Sequence, residues 1–146
     1  MNYFRTAEYY LYNFKALAAN LEIRQEKLRK YEYSGLTVVD LTRPGSRSDF
    51  KTSITETEAL NATETKERLR QEIAQLKLKL NSIEKALNCL DPSERRVIEL
   101  RYFNGLSWPQ VAAKSGYSER SCFRIREKAV NKVAVVLFGE KALTAG

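Results

Sequence analysis

The chain has 146 residues, with 25 Lys and Arg against 18 Asp and Glu, a formal net charge of +7, two cysteines and no histidine. The missing histidine excludes Ser/His and Cys/His nucleophile pairs and removes the commonest metal ligand, so the expectation is a protein that is not an enzyme and holds no metal or cofactor. The positive surplus favours a polyanionic partner, because phosphates neutralised by Lys and Arg release their counterions.

The first element is expected over residues 1–33. Tyr3 to Glu32 contains no Gly or Pro, and Phe4, Ala7, Leu11, Phe14, Ala18, Leu21 and Leu28 recur at steps of three and four, with Gln25 filling the one polar step. That spacing predicts an amphipathic helix. Tyr9, Tyr10 and Tyr12 widen the stripe, which is read as a packing face for another helix rather than a base-stacking or membrane surface. Met1 to Glu8 lack a basic segment followed by an apolar run, and no stretch approaches transmembrane length. Together with only two cysteines, this gives the expectation of a soluble, cytoplasmic protein with no membrane partner.

Residues 34–57 read as a flexible loop or linker. Ser34-Gly35, Arg43-Pro44-Gly45-Ser46 and a Ser/Thr-rich stretch break the helical period. A short strand over Leu36 to Leu41 is the less favoured alternative for want of a pairing partner. Arg43, Arg47 and Lys51 make the segment basic, so a DNA-contacting arm is an alternative to a solvated linker.

Residues 58–90 carry a heptad seam. Leu69, Ile73, Leu76, Leu80, Ile83, Leu87 and Leu90 alternate steps of four and three, with Ile73, Leu80 and Leu87 at a. The g-to-e pairs Glu72/Lys77 and Lys79/Glu84 suit a parallel dimer. Leu69, Ile73, Leu76, Leu80, Ile83 and Leu87 are therefore expected to mediate a homodimer or higher homo-oligomer. An intramolecular hairpin with the N-terminal helix is the rival, and a four-helix core would combine the two. Cys89 follows on this stripe and Cys122 on a later one. With no second cysteine at metal-ligand spacing, both are expected as small core residues.

Residues 91–146 begin with a capping signature. Asp91 suits the N-cap, Pro92 the first helical position and Glu94 the reciprocal capping-box bond, and that helix should stop at Asn104-Gly105. Ser107 caps a second helix, with Pro109 in its first turn and Gln110 placed for the return bond, running to about Lys114. Gly116 then supplies a left-handed turn residue and Ser118 caps a third helix running to about Leu137. Val111, Tyr117, Cys122 and Ile125 are the positions expected inside, and Ala112 allows close helix approach. A small residue, Gly four later and a basic outer face fit a DNA-binding helix-turn-helix. The fold class expected is thus all-α: an N-terminal helix and a long heptad helix, then a three-helix helix-turn-helix domain.

In that reading Glu119, Arg120, Ser121, Phe123 and Arg124 face base edges in the major groove. Arg120 and Arg124 are long enough to reach guanine O6 and N7. Arg95, Arg96, Arg101, Ser107, Trp108, Ser118, Arg126, Lys128 and Lys132 are expected at phosphates, which position without specifying.

The stretch Leu90-Asp91-Pro92-Ser93-Glu94-Arg95-Arg96-Val97-Ile98, Leu100 to Trp108, Val111-Ala112, Gly116-Tyr117-Ser118 and Lys128-Ala129 resembles region 4 of bacterial sigma factors. It is also similar to the C-terminal domain of small phage-encoded regulators of the ArpU and RinA type, whose whole layout the chain follows more loosely. The resemblance implies recognition of promoter or operator DNA and control of phage or prophage genes. It makes double-stranded DNA the expected partner and RNA polymerase a further candidate. The rival expectations are a small-terminase-like DNA-packaging subunit and a region-4-like module that binds polymerase alone.

Overall fold

The computed structural model describes residues 1–40 and 56–144. Among them every regular element is a helix: α1 (Tyr3–Asp40), α2 (Glu56–Asn88), α3 (Pro92–Ile98), α4 (Trp108–Ser115), α5 (Glu119–Phe138) and α6 (Glu140–Thr144), with a single wide turn over Glu99–Phe103 extending α3. No helix among the described residues is long and apolar enough to cross a membrane. The linker expected from residue 34 is corrected at both ends. Helix α1 runs on to Asp40 and α2 begins at Glu56, so a strand at 36–40 is ruled out. Arg43, Arg47 and Lys51 lie outside the described residues.

The backbone falls into two compact units, Met1–Ala18 with Leu78–Gly146, and Ala19–Lys77. These divisions cut across the boundaries expected at residues 33 and 90, because α1 and α2 each contribute to both units. In the 19–77 unit, Leu69 and Ile73 are buried, and Leu21, Leu28 and Leu76 are half-buried. Arg24 pairs with Glu72 at 3.6 Å and Arg70 with Glu32 at 3.3 Å, so the two helical stretches run antiparallel. These pairs are a third to a half exposed and worth little. The apolar seam holds this unit together.

The larger unit has two apolar clusters. The first gathers Ala7 and Leu11 of α1, Ile83, Ala86 and Leu87 of α2, Leu90, Ile98 and Tyr102, and Ala129, Val130, Val133 and Ala134 of α5. The second joins Val97 and Leu100 to Val111 of α4 and Cys122 of α5. Fully burying each such Leu, Ile or Val contributes about 1.5–3 kcal/mol. Of the six residues expected to mediate oligomerisation, Leu69, Ile73, Leu80, Ile83 and Leu87 are buried within one chain and only Leu76 is partly open.

Cys122 is buried as expected, but Cys89 is exposed. The cause is local. Helix α2 closes with Cys89 N–H to Ala86 O (3.1 Å) and Leu90 N–H to Leu87 O (3.2 Å), the tighter i to i−3 pattern that takes Cys89 off the helical stripe.

Candidate functional site

Four local devices set the outer surface of α4 and α5. At the start of α3, Asp91 N–H donates to Glu94 Oε1 at 3.0 Å, the return arm of a capping box. The wide turn after α3 is closed by Asn104 N–H to Glu99 O at 2.9 Å, an i to i−5 bond, and Leu106 N–H reaches back to Leu100 O at 3.1 Å. Gly105 makes that reversal possible at φ +67. Ser107 N–H donates to Gln110 Oε1 at 3.0 Å and fixes the start of α4. Finally Gly116, at φ +82, ends α4, and Ser118 Oγ accepts from Ser121 N–H at 3.1 Å to open α5. The caps at Asp91, Ser107 and Ser118 and the turns at Gly105 and Gly116 agree with the expectation, whereas the widening over Glu99–Phe103 replaces the continuous helix expected up to Asn104.

Tyr117 departs from the expectation of a buried position, being 42% exposed. It follows the left-handed Gly116 in the turn between α4 and α5, outside both helical stripes, and its N–H donates to Ser115 Oγ at 3.3 Å.

The residues expected at base edges are brought together at the start of α5. Glu119, Arg120 and Arg124 are exposed, and their side chains make no hydrogen bond or ion pair within the described residues. Ser121 is half-buried and committed to the cap, its Oγ 3.0 Å from that of Ser118. Phe123 is 41% exposed, but one side of its ring lies 4.7 Å from the Trp108 ring centroid.

The residues expected at phosphates divide into two sets. Arg96 and Lys128 are exposed with no side-chain partner among the described residues, and Lys114 at the end of α4, which was not among the expected phosphate ligands, joins them. Lys114 stands directly before the turn residues, a signal the sequence did contain. The others are held by the protein itself. Arg95 pairs with Glu99 at 3.1 Å. Arg101 donates to Leu106 O at 2.9 Å and lies 4.8 Å over the Trp108 ring. Arg126 pairs with Glu8 of α1 at 3.7 Å and stands 5.5–5.6 Å from the rings of Phe4, Trp108 and Phe123. Lys132 donates to Glu94 Oε1 at 2.7 Å. An arginine or lysine read from sequence as a phosphate ligand can equally be a structural cation, and four of these nine positions, Arg95, Arg101, Arg126 and Lys132, are used that way.

Three titrating groups are perturbed at this end of the molecule, among them Lys132, raised first by its hydrogen bond to Glu94. Burial pushes the Glu94 carboxyl up, but the Lys132 ammonium and the Asp91 backbone outweigh it and hold the carboxyl below its ordinary range. Burial, then the hydrogen bond to Glu8, raises the Tyr102 hydroxyl far above its ordinary value, so it remains a donor. Tyr102 donates to Glu8 Oε2 at 2.6 Å.

The fold and this surface define an all-helical protein with an exposed basic edge on its fifth helix. By sequence the chain belongs to the family described as Protein of unknown function (DUF722), whose family model matches residues 10–135. No curated protein and no solved structure matches it.

Proposed function

We propose that this protein is a sequence-specific, double-stranded DNA-binding regulator of transcription, of the phage or prophage type, and that α4 and α5 form its helix-turn-helix. The observation that carries the reading is the first half of α5. Arg120 and Arg124 stand one turn apart, exposed and unpaired among the described residues, on a helix whose start is fixed by the Ser118 cap and the Gly116 turn. Unpaired guanidiniums on a rigid helix reach a base edge without first breaking an ion pair, and their fork matches guanine O6 and N7. Arg96, Lys114 and Lys128 supply the non-specific phosphate attraction.

The buried seam favours the hairpin of α1 and α2 over a coiled-coil dimer, because Ile83 and Leu87 have no surface left for a second copy. The test selects bound fragments from random duplex DNA with the full chain, then measures Arg120→Ala and Arg124→Ala on the selected site. Each replacement should cost about 1–3 kcal/mol and relax the preference at one or two positions. Equal weakening on random DNA would remove these two residues from the reading set. Recovery of no preferred fragment, with affinity insensitive to salt, would sink the DNA reading. A ring of many copies on the selected site would instead favour a packaging role.

A further inference from the structure

Beside the apolar packing of α1 on α5, a polar clasp around Arg126 ties the two helices, and it ends on the proposed reading face. Glu8, on the second turn of α1, accepts from Tyr102 at 2.6 Å and pairs with Arg126 at 3.7 Å, with side-chain exposures of 19% for Glu8 and 29% for Arg126. The guanidinium lies among three rings, Phe4, Trp108 and Phe123, and its Nε is buried without a hydrogen-bond partner. Phe123 and Trp108 form a tilted ring stack, 4.7 Å between centroids and 44° between planes, and the Arg101 guanidinium lies 4.8 Å from the Trp108 centroid. A cation with a buried Nε, held by a carboxylate and three aromatic faces, is poorly placed to reach out to a phosphate.

We infer that Glu8 is a positioning residue for DNA recognition: through Arg126 it sets the Phe123–Trp108 stack, and Arg126 is not itself a phosphate ligand. This rests on the DNA-binding reading. The chemistry assigns each member a part. Tyr102 fixes the Glu8 carboxylate, whose charge fixes the guanidinium plane. That plane in turn limits the rotation of Phe123, one residue from Arg124. The N-terminal helix thereby becomes part of the reading apparatus although it presents no base-facing residue.

Trp108 is the single tryptophan of the chain, so its fluorescence reports the stack with or without DNA. The full chain is compared with Glu8→Gln, Arg126→Gln and the double variant. Gln at position 8 keeps an acceptor for Tyr102 and removes only the charge. Melting curves for each variant establish that it is folded. The expected result is a changed Trp108 emission in all three free proteins, and binding to the selected duplex weakened about tenfold in each single variant. The double variant should be no worse than either single one, with the salt slope of wild type preserved.

A phosphate-contacting Arg126 would instead lower that slope by about one log unit per log of salt in Arg126→Gln and the double variant, but not in Glu8→Gln. That result overturns the inference, as does a Glu8→Gln protein with unaltered Trp108 emission and affinity. A wild-type chain that binds no duplex refutes the proposed function instead, and the emission comparison still decides whether Glu8 controls the stack.

Discussion

The side chain with most at stake is Glu94, almost wholly buried and charged. Its carboxylate is tolerated because Oε1 accepts from both the Asp91 N–H and the Lys132 ammonium, at 3.0 and 2.7 Å. Its folded value lies below the ordinary 4.5, so the stability it contributes is complete above that pH and drains away as pH falls through the depressed value. Lys132 is shifted the opposite way, raised first by its hydrogen bond to Glu94. Its contribution is complete below the ordinary 10.5 and is lost as pH rises through the raised value. Lys132→Ala removes the largest interaction opposing burial, so the Glu94 carboxyl moves upward and its charged form is less well held. The variant should melt well below wild type at pH 7, and the gap should narrow as pH falls toward 4. Melting temperatures across that range check this, and a constant gap would mean that Glu94 does not depend on Lys132. The expectation that Lys132 meets phosphate arose because one-dimensional reading sees a basic residue on an exposed helix face. The acidic partner stands 38 positions away.

At the scale of elements, the turn between α4 and α5 is the joint on which the proposed reading helix depends. A Cβ built at Gly116 meets nothing within 4 Å, so the only obstacle to a side chain is the backbone at φ +82. Gly116→Ala should therefore cost about 1–2 kcal/mol, the penalty of a left-handed L-residue, and Gly116→Asn less. Denaturant unfolding measures both, and a cost of several kcal/mol would reveal crowding that the geometry does not contain. This turn and the caps at Asp91, Ser107 and Ser118 were legible in the sequence, as were the buried stripes of α1 and α2. Caps and turns are local chemistry, and a period of 3.6 marks the face a helix hides. The same period does not say what covers that face. Leu80, Ile83 and Leu87 were correctly expected inside, yet heptad spacing drew attention to a second copy when α1 was available in the same chain. Cys89 was misplaced for a related reason: a stripe extrapolated past the last full turn ignores how the helix end tightens.

At the scale of the whole molecule, the consequence is a compact unit assembled from both ends of the chain, Met1–Ala18 and Leu78–Gly146. Sequence reading set an independent domain at residue 91, since caps and glycines cluster there and α1 lies far away along the chain. Yet Ala7 and Leu11 are fully buried against residues of α2, α3 and α5, and Glu8 satisfies Tyr102 and Arg126. A 56-residue segment is near the lower limit for burying a stable core, and this one would also expose Ile98, Tyr102 and Val130. A fragment of residues 91–146 should therefore show no cooperative melting transition. A fragment of residues 78–146 should gain stability when a peptide of residues 1–18 is added, as the peptide returns Ala7 and Leu11 to the core. The Leu11→Ala peptide should restore less, because an equivalent truncation inside an intact core costs about 2–5 kcal/mol. Circular dichroism and Trp108 emission follow both experiments. A 91–146 fragment that melts like the full chain would restore the boundary at residue 91 and reduce α1 to an accessory helix.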